Sequence, residues 1–264
     1  MNQVTSGDGT RIAYTRAGQG PAVILVDGAL SHRAQSINAG LATALADRFT
    51  VYTYDRRGRG ESGDTAPFAP EREIEDLAAL IEEAGGSACV YGTSSGAAVA
   101  LAAAESGQAI EKLALYEPPF IVDDTRPAIP ADYVRRMDEL VAADRRAEAV
   151  RYFMGTGVGL PGFVVAMMRF MPAWSKLKAT AHTLPYDVAF VAPYERGKPY
   201  PDGSWAGVKA PALVMDGGKS PAWIRNATRA LAGVLPDAGH RTLDGQSHIV
   251  KPEALAPVLK EFFS

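Results

Sequence analysis

Gly92-Thr93-Ser94-Ser95-Gly96 reads G-x-S-x-G, and its surroundings give that short pattern its meaning. The preceding run, Ala88-Cys89-Val90-Tyr91, is apolar and strand-like. The following run, Ala97 to Ala104, consists almost entirely of good helix formers. A serine on a sharp turn between a strand and a helix is held with its hydroxyl out over the sheet edge, where it can act as a nucleophile. Glycines on both sides keep side chains from crowding so tight a turn. The helix N-terminus beneath it favours the negative charge that develops when a hydroxyl attacks a carbonyl. The peptide N–H of Ser95, next in the chain, is the natural first donor to that charge.

A serine hydroxyl is a weak nucleophile without a base beside it. His248 is the candidate base. It follows a strand in a Gly245-Gln246-Ser247-His248 loop and precedes the last amphipathic segment. An imidazole titrates near neutrality, so it can take a proton and return it. The other histidines fit less well. His32 follows the Asp27-Gly28-Ala29 turn and could line the site. His182 could touch a substrate. His240 stands at a strand start and reads as a surface residue.

The elements that must carry these residues alternate along the chain. Strands are predicted at 22–26, 49–54, 87–91, 112–116, 211–216 and 240–243. Helices are predicted at 33–46, 71–84, 96–107, 222–234 and 252–262, and Gly7-Asp8-Gly9-Thr10 reads as a hairpin turn. Continuous apolar strands separated by helices imply a mostly parallel sheet covered on both faces. Ligands of such sheets bind beyond the carboxyl ends of the strands, where Ala29, Ser94 and His248 all fall.

Residues 124–207 interrupt the alternation. They hold helix-like patches and a dense apolar stretch from Phe163 to Trp174, and prolines bound them at Pro127, Pro130, Pro199 and Pro201. This segment reads as a helical lid inserted after the sixth strand, with 1–123 and 208–264 forming the core domain. Most of its apolar side chains should pack its underside. Met167, Met171 and Trp174 are candidates to line an apolar pocket, together with Asp27 and His32.

This order of motifs resembles the α/β-hydrolase superfamily, near its small esterase, haloperoxidase-like and lactonase-like members. Val23 to Ala29, the D-x-R-G-x-G-x-S run Asp55 to Ser62, the serine turn and the Gln246-Ser247-His248 loop carry the resemblance. It spans nearly the whole chain and is strongest over 8–120 and 208–264. It implies a three-layer α/β/α sandwich with an inserted helical cap. It also implies a serine hydrolase acting on an ester, lactone or thioester of a small to medium hydrophobic substrate. The same machinery would serve C–C bond hydrolysis, lyase or perhydrolase chemistry, or a non-catalytic ligand-binding member. The second oxyanion donor would be Ala29, in a loop where many relatives carry His-Gly and this chain carries Asp27-Gly28. Asp27 could there raise the pKa of a nearby histidine.

The chain departs from the superfamily at the acid that orients the histidine. That acid usually lies in a G-x-x-D loop after the strand spelled here Ala212 to Asp216. The loop here is Gly217-Gly218-Lys219-Ser220, so a serine stands at the expected carboxylate. Glu117, at the end of the preceding strand, is the leading replacement. Asp216 could turn in from its own strand end, Asp123 or Asp124 could reach across, or the site could be a Ser–His dyad.

Other chemistries lack their residues. Gly58 to Gly63 fits G-x-G-x-x-G, but a proline-rich loop follows instead of the helix a dinucleotide site needs. The Gly155 to Gly159 run has no following Lys-Ser/Thr. No spacing suggests a metal, and no cofactor is expected. A net charge of −3 gives no reason to expect nucleic acid or an anionic membrane as partner. The single cysteine, Cys89, cannot form an intramolecular disulfide. With no basic-then-apolar leader and no run of about 18 apolar residues, the chain is expected to be cytoplasmic.

Overall fold

The computed structural model describes residues 2–264. Its frame is one eight-stranded sheet, formed by β1 (Asn2–Thr5), β2 (Arg11–Ala17), β3 (Ala22–Val26), β4 (Thr50–Tyr54), β5 (Ala88–Thr93), β6 (Ile110–Tyr116), β7 (Ala212–Gly217) and β8 (Ala238–Leu243). The spatial order is β1-β2-β4-β3-β5-β6-β7-β8. β1 and β2 are antiparallel, as are β2 and β4, and every pair from β4 to β8 is parallel.

The central strands β3 and β5 read as unbroken apolar runs because both faces are covered. Alternate side chains of a strand point to opposite faces. Ile24 and Val26 therefore join Val90, Leu113, Leu115 and Val214 beneath α2 (Pro70–Glu83), α3 (Ser95–Glu105) and α9 (Ala222–Val234). Val23 and Leu25 join Cys89, Tyr91, Ala114 and Met215 beneath α1 (Ala39–Leu45) and α10 (Pro252–Phe263).

The chain crosses from β3 outward to β4 and then back past β3 to β5. The order thus reverses between β3 and β5, and a crevice opens beyond their carboxyl ends. Ala29 leaves β3 and Ser94 leaves β5 at that crevice.

Between β6 and β7 the chain forms α4 (Tyr133–Ala142), α5 (Arg146–Tyr152), α6 (Gly162–Met167), α7 (Trp174–Thr180) and α8 (Leu184–Val191). Of these, α4, α5, α7 and α8 share a third apolar cluster with Ala29 and Leu30, which places them against the loop after β3. α8 also packs on α3, the helix that follows the serine. Among the described residues, no helix is long and apolar enough to cross a membrane.

The single helix expected over 33–46 is instead a 3₁₀ turn, Arg33–Gln35, followed by α1. Two polar side chains compete with the helix. Asp55 accepts the Arg33 N–H at 2.7 Å, and Ser36 accepts the Asn38 N–H at 2.9 Å.

Candidate active site

Ser94 sits at φ 56° and ψ −130°, in a region that a residue with a side chain rarely adopts. Such strain, of order 1–3 kcal/mol, persists only where neighbours hold it. Here the Ser94 N–H donates to Tyr116 O at 2.9 Å, while Ser94 O accepts from Ala97 N at 2.9 Å and opens α3. The flanking glycines are sterically required. A Cβ on Gly96 would lie 2.4 Å from Val26 O, and one on Gly92 would lie 2.5 Å from Gly96 O. Leu30 (φ 60°) and Glu117 (φ 48°) are also left-handed, so three strained non-glycine residues flank the crevice.

His248 Nδ1 lies 2.7 Å from Glu117 Oε2. The other carboxylate oxygen, Oε1, accepts the Gly217 N–H at 2.7 Å. Glu117 is fully buried, whereas the His248 side chain is 41% exposed. A carboxylate on Nδ1–H fixes the tautomer in which Nε2 keeps a free lone pair. The loop carrying the imidazole is tied down twice: Tyr116 Oη donates to Ser247 O at 2.7 Å, and the Lys219 N–H donates to Gln246 O at 2.8 Å.

Among the four sequence candidates for the acid, the structure brings Glu117 to His248. Asp216 Oδ2 lies 2.7 Å from His240 Nε2 and accepts the Thr228 hydroxyl at 2.8 Å. Burial alone would raise the Asp216 pKa, but these hydrogen bonds and the imidazole outweigh it and hold the carboxyl below its ordinary value. His240, expected on the surface, is therefore partnered, with 22% of its side chain exposed. Asp123 bonds Thr125 and Asn226. Ser220 is buried, and its hydroxyl has no hydrogen-bond partner among the described residues.

The loop after β3 comes up against the serine. A Cβ on Gly28 would lie 3.0 Å from Ser94 Cβ, so a glycine here permits the approach. Asp27, a sequence candidate for the pocket lining, bonds Asn38 rather than a histidine. It is buried behind the loop and accepts from Asn38 Nδ2 at 2.6 Å, and burial raises its pKa. It lies one residue past β3, and its partner Asn38 stands at the start of α1. His32 contacts Gln35 Nε2 at 2.6 Å, and His182 Nδ1 lies 3.2 Å from Ala179 O. Met167 and Met171 are exposed at 62% and 51%, and Trp174 packs partly into the cluster that includes Ala29.

The D-x-R-G-x-G-x-S run folds as a buried polar girdle beneath the crevice. Arg57 pairs with Asp76 and Asp8 at 2.7 and 2.9 Å. Arg56 forks onto Glu73, with both bonds at 2.6 Å, and reaches Asp187 Oδ1 at 2.7 Å. Arg59 meets Asp187 Oδ2 at 2.6 Å. Burial alone would raise the Asp187 pKa, but the two guanidiniums outweigh it and lower it. Asp187 also accepts the Ser95 hydroxyl at 2.8 Å. No sequence motif marks Asp187. Its one signal is a lone carboxylate inside the apolar run Leu184-Pro185-Tyr186-Asp187-Val188-Ala189-Phe190-Val191.

A model of the alpha/beta hydrolase family matches residues 23–258. Among solved structures, an alpha/beta hydrolase from Sphaerobacter thermophilus DSM 20745 is 54% identical, with 100% of each chain covered and a TM-score of 0.91. The enol-lactonase from Burkholderia xenovorans LB400 is 24% identical, with 99% of each chain covered and a TM-score of 0.69. An esterase from Thermogutta terrifontis is 23% identical, covering 99% of this chain and 97% of its own, also at a TM-score of 0.69. At such identity the last two show a shared fold.

Proposed function

The chain belongs to the alpha/beta hydrolase family, and from that premise we propose that it is a serine hydrolase of carboxylic esters, with lactones and thioesters as related substrates. Two observations carry this reading: a strained serine on the turn after β5, and a histidine whose Nδ1 is held 2.7 Å from a buried carboxylate at the end of the adjacent strand β6. The esterase and enol-lactonase among the similar folds are consistent with the substrate class.

In this mechanism Ser94 Oγ attacks the carbonyl carbon as His248 Nε2 takes the hydroxyl proton. Glu117 holds the ring and stabilises the imidazolium. The negative charge on the former carbonyl oxygen rests on the N–H groups of Ala29 and Ser95. Collapse breaks the C–O or C–S bond, and His248 returns its proton to the departing alcohol or thiol. Water then attacks the Ser94 acyl ester, giving its proton to His248, and the acid leaves as Ser94 regains its hydrogen.

The helices between β6 and β7 act as a cap over the serine, with residues 124–207 as the inserted unit. Trp174, Met167 and Met171 give that unit an apolar surface suited to a hydrophobic acyl or alcohol group.

The test is hydrolysis of p-nitrophenyl esters from acetate to decanoate by the wild type and Ser94→Ala. Turnover that peaks at one chain length and disappears in the variant supports the reading. Equal turnover by both proteins, or none by either, overturns it for esters.

A further inference from the structure

Arg56, Arg59, Glu73 and Asp187 form a charge-balanced quartet in which no side chain is more than 1% exposed. A buried ionic cluster is a weak source of stability, because desolvation of each charge offsets most of the attraction. What this quartet touches is more informative. Arg59 Nη1 donates to Gly28 O at 2.8 Å, and Arg56 Nη1 donates to Asp27 O at 3.2 Å. Ser95 Oγ donates to Asp187 Oδ1 at 2.8 Å. One end of the quartet thus holds the carbonyl that immediately precedes the Ala29 N–H. The other end holds the side chain of Ser95, whose backbone N–H is the other proposed donor.

From this geometry we infer that the Arg59–Asp187 ion pair, backed by Arg56, is a positioning device that sets both oxyanion donors at once. The inference rests on the serine-hydrolase reading above.

The planar trans peptide does the first part of the work. Its C=O and N–H point in opposite directions, so fixing Gly28 O on Arg59 aims the Ala29 N–H away from Arg59. Gly28 abuts Ser94, so that direction bears on the serine. The left-handed Leu30 (φ 60°) shows that this loop departs from relaxed backbone just after the donor. The second part is electronic. A guanidinium on a carbonyl polarises the whole amide, and its N–H becomes a stronger donor, as in any chain of cooperative hydrogen bonds. Meanwhile the Ser95 hydroxyl is tied to the same carboxylate, which locks the first residue of α3 relative to the β3 loop. Thr183 completes the setting by accepting from Arg59 Nε at 3.0 Å.

An oxyanion exists only during reaction, so the device should affect kcat and leave KM nearly alone. The discriminating probe is a pair of ketones of one skeleton. The trifluoromethyl ketone accepts Ser94 Oγ at its carbonyl carbon, passes the serine proton to His248 and leaves an oxyanion in the hole. The methyl ketone binds without forming that adduct. In Arg59→Met, kcat on the best p-nitrophenyl ester should fall about 10²-fold, and the trifluoromethyl ketone Ki should rise by a similar factor. The methyl ketone Ki should stay within about twofold, because ground-state contacts are unchanged. Arg59→Lys should recover part of the loss, since it keeps the charge but not the fork. Ser95→Ala keeps every ion pair and the backbone N–H, so it should fold even if Arg59→Met does not. Its trifluoromethyl ketone Ki should rise about threefold to tenfold.

If kcat falls only in proportion to the folded fraction while both Ki values hold, the quartet is merely structural and the inference is overturned. It is overturned equally if Ser95→Ala leaves the ratio of the two Ki values unchanged. Turnover that survives Ser94→Ala would instead remove the serine-hydrolase reading, and this inference with it. Turnover that depends on Ser94 but ignores Arg59 and Ser95 would remove the inference alone.

Discussion

Two carboxylate–histidine pairs stand side by side in this sheet, and their bond lengths do not distinguish them. Glu117–His248 and Asp216–His240 each span 2.7 Å, and both carboxylates are fully buried. Their placement differs. Asp216 and His240 lie within β7 and β8. Asp216 pairs with Thr242, two residues beyond His240, so the pair is a diagonal contact on one face of adjacent strands. Thr228 of α9 bonds the same carboxylate oxygen, and the result is a clamp on the edge strand. Glu117 lies one residue past β6, where a left-handed backbone turns it out of the sheet. Its imidazole comes from a loop beyond β8 and is half open to solvent. A carboxylate can orient a histidine anywhere. On the proposed mechanism, the histidine that serves as a base is the one held where the strands end, at the edge from which Ser94 also leaves its strand.

The largest effect should come from removing the base. His248→Ala should lower kcat/KM on the best ester by about 10⁶-fold, as expected when a member of a nucleophile–base unit is lost. His240→Ala, assayed beside it, should stay within about twofold of wild type. Comparable losses in both would erase the distinction between the pairs.

Stability should show the reverse preference. Asp216→Asn should cost about 1–3 kcal/mol in urea unfolding, because the Thr228 hydroxyl and the imidazole lose a charged acceptor. A variant as stable as wild type would mean that the clamp holds nothing.

A smaller effect tests what the serine at position 220 means. The loop carrying it adjoins the His248 loop through the Lys219–Gln246 bond. Adding Ser220→Asp to Glu117→Gln should restore about tenfold in kcat, as partial relocation of the orienting acid. No recovery would place Ser220 out of reach of the imidazole.

The smallest effect concerns pH. The folded Asp216 pKa lies below its unfolded value, near 3.9 for a free aspartate. Its contribution is then fully present above that unfolded value and is lost as pH falls through the folded one. The stability gap between wild type and Asp216→Asn should therefore be constant near neutrality and shrink in acid below about pH 4. A gap that widens on acidification would reverse the assignment.

Local patterns made much of this legible in the sequence. The serine turn needs only its own strand, two glycines and a helix, all within about 20 contiguous residues. The parallel sheet is written in apolar runs that nothing else would bury. The acid was less legible. Glu117 and Asp216 end neighbouring strands, and choosing between them required knowing that Glu117 adopts φ 48° and finds the Gly217 N–H across the sheet. Asp187 was out of reach for a different reason. Its partners Arg56, Arg59 and Ser95 lie between 92 and 131 residues away, and no spacing rule connects them. The partners of Asp27 and His240, Asn38 and Asp216, were not legible because a single polar residue past a strand end or in an edge strand gives no hint of which neighbour will claim it.

The central claim is that Ser94 is activated through His248 by Glu117, and fluorophosphonate modification tests it most directly because no substrate need be known. The rate of adduct formation, with the modified residue located by peptide mass spectrometry, should be measured for wild type, Glu117→Gln and Asp216→Asn. The adduct should fall on Ser94, form at the wild-type rate in Asp216→Asn, and slow by orders of magnitude in Glu117→Gln. An adduct elsewhere, or equal rates in Glu117→Gln and wild type, would contradict the claim.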